Sequence, residues 1–226
     1  MFLRYVLGQR GLTIESLNVA PLVIASWSGG TTRRLASTSG AALAENWPYR
    51  GVFDLYTGLV GGARVSFATF PMGAPATVAM LEELIAVGAR LVVGLGLAGS
   101  LQPYAPVGSL LLPAECIREE GTSLHYLPAD KPVHPDPGLK EALSRAVARQ
   151  GLVLHSGLHW TTDAIYREFD WKIDQYRARG VIGVDMETSA LYAAGLHHGV
   201  PVANLLVVSD ELFRDWKPAF GTTPFR

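Results

Sequence analysis

Residues 183–214 read GVDMETSALYAAGLHHGVPVANLLVVSDELFR. Two apolar, β-branched runs, Val181–Val184 and Val202–Val208, have strand length and strand composition. Each closes on acids, Asp185 and Glu187 after the first and Asp210 after the second. Between them Thr188–His198 is rich in Ala and Leu, and Gly199 followed by Pro201 supplies a stop. Ala190, Leu191, Ala194 and His198 recur at helical spacing, which predicts a helix with one face packed on a sheet. The result is a strand–helix–strand unit with polar groups collected where the strands end, the place where open α/β sheets take their ligands. Singly, each acid reads more readily as a cap or turn residue.

Working outward, Leu22–Ala25 reads as a buried strand running into Ser26–Arg34, a small-residue loop with two cations whose backbone N–H groups could face an anion. An exposed turn with solvated arginines fits it too. Gly61-Gly62 predicts a hairpin turn, Arg64–Phe70 a strand, Phe70–Pro75 a tight loop, and Thr77–Val87 a helix closed by Gly88. Leu91–Val93 begins another buried strand that enters Gly94-Leu95-Gly96-Leu97-Ala98-Gly99. That spacing matches a dinucleotide fingerprint. Pro103 and Pro106 follow, however, so no helix can open there to hold a pyrophosphate, and the fingerprint is rejected. Val107–Leu112, Leu139–Gln150, Leu152–Leu158 and Asp170–Arg179 read as strand, helix, strand and helix. Arg118–Pro137 and His159–Glu168 are polar collections, and the tail Trp216–Arg226 is irregular. Strands alternating with helices predict an α/β fold.

The composition excludes several classes of function. The formal charge of the 226 residues is −1, without the basic patch that nucleic-acid binding requires. One cysteine, Cys116, allows neither an internal disulfide nor a cysteine metal cluster. No apolar stretch reaches the ~18 residues of a membrane span, and the start lacks a signal-peptide core, so the chain reads as cytoplasmic. The histidines show no metal-ligand spacing.

Several stretches together resemble the nucleoside phosphorylase family that includes uridine phosphorylase, hexameric purine nucleoside phosphorylase and methylthioadenosine phosphorylase. They are Gly183–Ala190, Val207-Val208-Ser209-Asp210, Thr161–Tyr166, Met72-Gly73-Ala74-Pro75 and Gly121–Tyr126. The resemblance, from about Val23 onward, implies a three-layer α/β domain, residues 1–226, with a mixed, partly closed central sheet flanked by helices. It also implies assembly into a homo-oligomer, whether dimer, trimer of dimers or hexamer. The implied reaction is phosphorolysis of a nucleoside with inorganic phosphate as co-substrate and no metal or organic cofactor.

By the same resemblance, Glu187 takes the ribose hydroxyls and Met186 walls the sugar, with Asp185 beside them. Asp210 is the catalytic acid on the base. Thr162, Ile165, Tyr166, Arg167 and His125 border the substrate, while Gly29, Arg33, Arg34, Arg50 and Gly96 hold phosphate. Chemically, a carboxylate near the hydroxyls suits the oxocarbenium character that develops on the sugar. An acid at the base suits its departure. Ser209-Asp210 and the short segment between Tyr166 and Asp185 favour purines. Ser123–Tyr126 and Leu101–Pro103 are closer to uridine phosphorylase, so the base stays open with a lean to purine. Gly94 and Leu97 stand where the family carries an Arg and a hydroxyl for phosphate. A nucleosidase using water and a weakly active nucleoside-binding paralogue are therefore the alternatives.

Overall fold

In the computed structural model, which describes residues 2–219, Cα packing separates two units. One comprises the chain up to Met72 with Ala76–Gly94, and the other Gly73–Pro75 with the chain from Leu95 onward. The first unit holds α1 (Phe2–Gln9), β1 (Leu22–Ser26), α2 (Gly29–Thr38), β2 (Ala42–Leu43), β3 (Leu55–Val60), β4 (Ala63–Thr69), all but the start of α3 (Ala74–Ala86), and the entry of β5 (Leu91–Ser100). Its strands lie in the order β5-β1-β4-β3-β2. β1 runs parallel to β4, and β3 and β4 form the hairpin expected at Gly61-Gly62. Ala36 of α2 packs on Val65 and Phe67 of β4.

Of the expected loop Ser26–Arg34, Ser26 ends β1 and Gly29–Arg34 are instead the start of α2. Ser28 caps it by accepting the Thr31 N–H at 3.2 Å. Small and hydroxylated residues suit a loop by composition, but a Ser followed by residues free to turn is equally an N-cap. α3 likewise begins three residues before the expected Thr77, because Pro75 is tolerated in a first turn, where its missing N–H has no helical partner.

The second unit holds the exit of β5, β6 (Leu110–Glu119), a 3-10 turn at Thr122–His125, α4 (Pro137–Arg149), β7 (Leu154–Thr162), a 3-10 turn at Ile165–Arg167, α5 (Asp170–Ala178), β8 (Gly183–Asp185), α6 (Thr188–His198), β9 (Val202–Glu211) and β10 (Lys217–Pro218). Strand order is β10-β9-β6-β7-β8-β5, and a further pairing of β9 with β5 closes five of these strands into a ring. β6–β7 and β7–β8 are parallel while β5–β8 and β6–β9 are antiparallel. The expected α/β class and mixed, partly closed sheet are both present.

One buried cluster joins Ala98, Leu111, Ile182, Leu206 and Val208; another joins Leu101, Trp160, Val181 and Val184 to Ile173 of α5. Each large side chain fully withdrawn from water contributes about 1.5–3 kcal/mol.

α6 departs from the one-faced helix that the spacing implies. Thr188 through Gly195 are all buried. Ser189, Ala190, Ala193, Ala194 and Gly195 are small enough for close approach on every side, and a Cβ on Gly195 would stand 2.6 Å from Val202 Cγ2. Gly199 ends the helix at φ +64 as expected. Among the described residues no helix is long and apolar enough to cross a membrane. Residues 220–226 of the expected irregular tail lie outside the described residues.

Candidate functional site

The acids of the opening stretch are delivered by strand ends that both abut β5. Val184 of β8 pairs with Gly99, and the Leu212 N–H just past β9 donates to Ser100 O at 2.9 Å. The approach is close. A Cβ on Gly183 would stand 2.8 Å from the Gly99 carbonyl oxygen, and one on Gly99 would stand 2.2 Å from Leu212 Cδ1 and 3.4 Å from Asp210 Oδ2. Glycine at both positions lets the acid-bearing backbones come in.

Glu187 sits at the β8–α6 junction and is 8% exposed. Its Oε1 accepts the Gly73 N–H at 2.6 Å, which places the Gly73 motif beside it. Burial raises its carboxyl from the ordinary range to about 8, and the Asp185 charge adds to the rise. Backbone hydrogen bonds at Gly73 and Met186 pull the other way. Met186 is half-buried alongside.

Asp185, expected among the substrate-binding residues, is engaged inside the fold. Oδ1 accepts Thr161 Oγ1 at 2.8 Å, and His159 Nε2 lies 3.4 Å away. Oδ2 accepts the Thr188 N–H at 3.0 Å and the Thr188 hydroxyl. Thr188 Oγ1 in turn takes Asn204 Nδ2 at 2.7 Å, and Thr161 Oγ1 takes the Ser189 N–H at 3.0 Å. Asp185 thus ties β7, β8, α6 and β9 together beneath Glu187. The cap-like reading describes it better than the ligand-binding one, because a buried carboxylate must find its donors within the protein.

A second buried acid, Glu120, accepts Ser189 Oγ and the Ser123 N–H, each at 2.8 Å. Arg118 Nε donates to Ser123 Oγ at 2.9 Å, while its terminal nitrogens donate to the carbonyls of Leu127, Pro128 and Lys131. The turn carrying His125 is thereby fastened to α6, although His125 itself is exposed.

At the end of β7 Thr162 is buried. Ile165 is 41% and Tyr166 93% exposed, and the Arg167 guanidinium lies 4.4 Å over the Phe169 ring. β9 continues past Val208, so Asp210 lies within the strand. Its Oδ1 accepts Ser209 Oγ at 2.8 Å and its Oδ2 accepts Trp216 Nε1 at 2.9 Å. Glu168 was not among the expected site residues. Burial, and then the charges of Asp210 and Glu119, raise it to about 7. The only sign of it in the sequence is its place at the end of the 159–168 polar collection.

The expected phosphate residues of the first unit are less committed. Arg33 folds back toward the start of α2, with Nη1 3.4 Å from where a Gly29 Cβ would stand. Thr69, also missed, lies 4.0 Å from that position, and its hydroxyl is buried without a partner. Arg34 is exposed, and Arg50 pairs with Glu45 at the surface. In the second unit Gly96 is half-buried in β5, and Leu97 beside it is 46% exposed and offers no donor side chain.

Fold and site together define an α/β protein with two buried carboxyls brought in by two strands, β8 and β9, that both pair with β5 in a partly closed sheet. The chain belongs to the phosphorylase superfamily, whose model matches residues 21–220. It is similar to a uridine phosphorylase of Salmonella typhimurium, 28% identical over 220 residues that cover 87% of this chain and 84% of the relative. A guanosine phosphorylase of Halorubrum lacusprofundi is 25% identical over 206 residues, 90% of this chain and 84% of the relative. An uncharacterised protein of Acanthamoeba polyphaga mimivirus is 34% identical over 158 residues, 70% of this chain and 61% of the relative.

Proposed function

We propose that the protein is a nucleoside phosphorylase that cleaves the N-glycosidic bond of a purine nucleoside with phosphate, giving free base and ribose 1-phosphate. The observation that carries this reading is Glu187, a buried carboxyl at a strand–helix junction held in place by the Gly73 N–H. A carboxylate fixed in this way accepts hydrogen bonds from the ribose 2′- and 3′-hydroxyls and opposes the positive charge that grows on the sugar. Met186 supplies an adaptable apolar wall. As the C1′–N bond breaks, its electron pair goes to the base, Asp210 supplies the proton, and a phosphate oxygen bonds to C1′. Within the first unit the groups offered to an anion are Gly29, Arg33 and the buried, unpartnered Thr69 hydroxyl. Arg50 must leave Glu45 before it can contribute.

The purine assignment rests on Ser209-Asp210 and on the short Tyr166–Asp185 segment. The relatives' names include both a uridine and a guanosine phosphorylase. The test is base release from guanosine, inosine, adenosine and uridine with and without phosphate, with the sugar product followed by phosphorus NMR. Release from a purine nucleoside only with phosphate, yielding ribose 1-phosphate, is the expected result. Equal release without phosphate would replace the reading with a nucleosidase, as Gly94 and Leu97 allow. Binding without turnover would make the protein a nucleoside-binding paralogue.

A further inference from the structure

After β9 the chain turns back on itself. β10 pairs antiparallel with β9, setting Lys217 opposite Glu211 and Pro218 opposite Asp210, and the Ala219 N–H donates to Ser209 O at 2.9 Å. The return carries Trp216 to Asp210, where the indole N–H donates to Oδ2 at 2.9 Å. Trp216 is 63% exposed, so burial of its ring does not explain its position. What holds it is the strand pairing and the bond to the acid.

The two oxygens of Asp210 have chemically different partners. An indole N–H only donates, so Oδ2 is held as an acceptor. The β5 backbone closes on the same oxygen at Gly99. Oδ1 faces the Ser209 hydroxyl at 2.8 Å, a group that donates to a carboxylate and can rotate to accept from a carboxylic acid. A proton on this carboxyl therefore belongs on Oδ1. The Asp210 charge in turn helps to raise the nearby Glu168 carboxyl.

We infer that Trp216 is a positioning residue for Asp210. Its N–H fixes the rotation of the carboxyl and reserves Oδ2 as acceptor, so that the proton for the leaving base is presented from Oδ1. Trp216 acts through Asp210, and the inference rests on the phosphorylase reading above.

Trp216→Phe keeps an aromatic ring and removes the donor, whereas Trp216→His keeps a ring N–H. The expected result for Trp216→Phe is a kcat about tenfold or more below wild type, with the nucleoside KM within about threefold and recovery of most of the loss in Trp216→His. A Trp216→Phe enzyme within about twofold of wild type, or an equal loss in both variants, overturns the inference. The contact is also read without turnover, from the Trp216 indole N–H resonance in 15N-tryptophan-labelled protein. It should move when Asp210 is changed to Ala, and an unmoved resonance overturns the inference by itself. Absence of base release by the wild type under every condition defeats the phosphorylase reading instead, and the resonance still decides whether the indole holds the acid.

Discussion

The acids around β8 and β9 and the cations around α2 are built differently. Asp185, Glu120 and Glu187 are buried, and their oxygens meet donors from β7, α6, the Thr122–His125 turn and the Gly73 turn. Arg34 is exposed, Arg50 is paired with a neighbouring surface acid, and only Arg33 turns back toward the helix start. A buried carboxyl cannot be left without donors, so its surroundings must be specified in detail. A surface guanidinium keeps its water and can be recruited when an anion arrives. The acid region should therefore respond to mutation in both activity and stability, and the cation region in phosphate use alone.

The sharpest way to break that contrast is Glu187→Gln. The amide oxygen still accepts from Gly73, but the charge that the proposed function sets against the sugar is gone. The expected outcome is a fall in kcat/KM for nucleoside of about 10³-fold, measured by steady-state kinetics. Next is Asp185→Ala, which leaves Thr161, Thr188 and His159 facing a hole. It should lower unfolding free energy by about 3 kcal/mol in urea titrations. Arg33→Ala follows, with an expected rise of about tenfold in the phosphate KM and little change in that for nucleoside. Arg34→Ala should stay within about twofold in both, and comparable losses at the two arginines would erase the distinction between them.

Proton linkage sharpens the same comparison. The Glu187 carboxyl is raised from 4.5 to about 8, so across that window the folded chain keeps a proton that the unfolded chain has released. Stability contributed below the ordinary carboxyl range is then lost as pH rises toward 8. Thermal melts of the wild type should fall across this window and those of Glu187→Gln should fall less. On the proposed reading the ionised form accepts the ribose hydroxyls, so kcat/KM should rise as pH approaches 8. A profile flat from pH 5 to about 8 would mean that Glu187 titrates normally and is not desolvated.

Some of this was readable in the residues. Apolar runs, a small-residue helix and Gly199 placed β8, α6 and β9, and the prolines after Gly99 excluded a dinucleotide site, because local sterics and hydrogen bonding act within a few residues. The boundaries were less legible. α2 looked like a loop, and β9 carried its strand through Asp210, since a polar residue does not end a strand whose partner continues to pair.

By itself the sequence determined the superfamily, the alternation of strands and helices, and the two acids worth watching. Only the tertiary structure decided what those acids touch: Glu187 meets Gly73 across 114 positions of sequence, Asp185 turns inward, and Asp210 is gripped by Trp216 with Glu168 nearby. The reason is that hydrogen-bond partners and desolvation depend on which distant segments the closed sheet brings together, and no local pattern of residue types encodes that proximity.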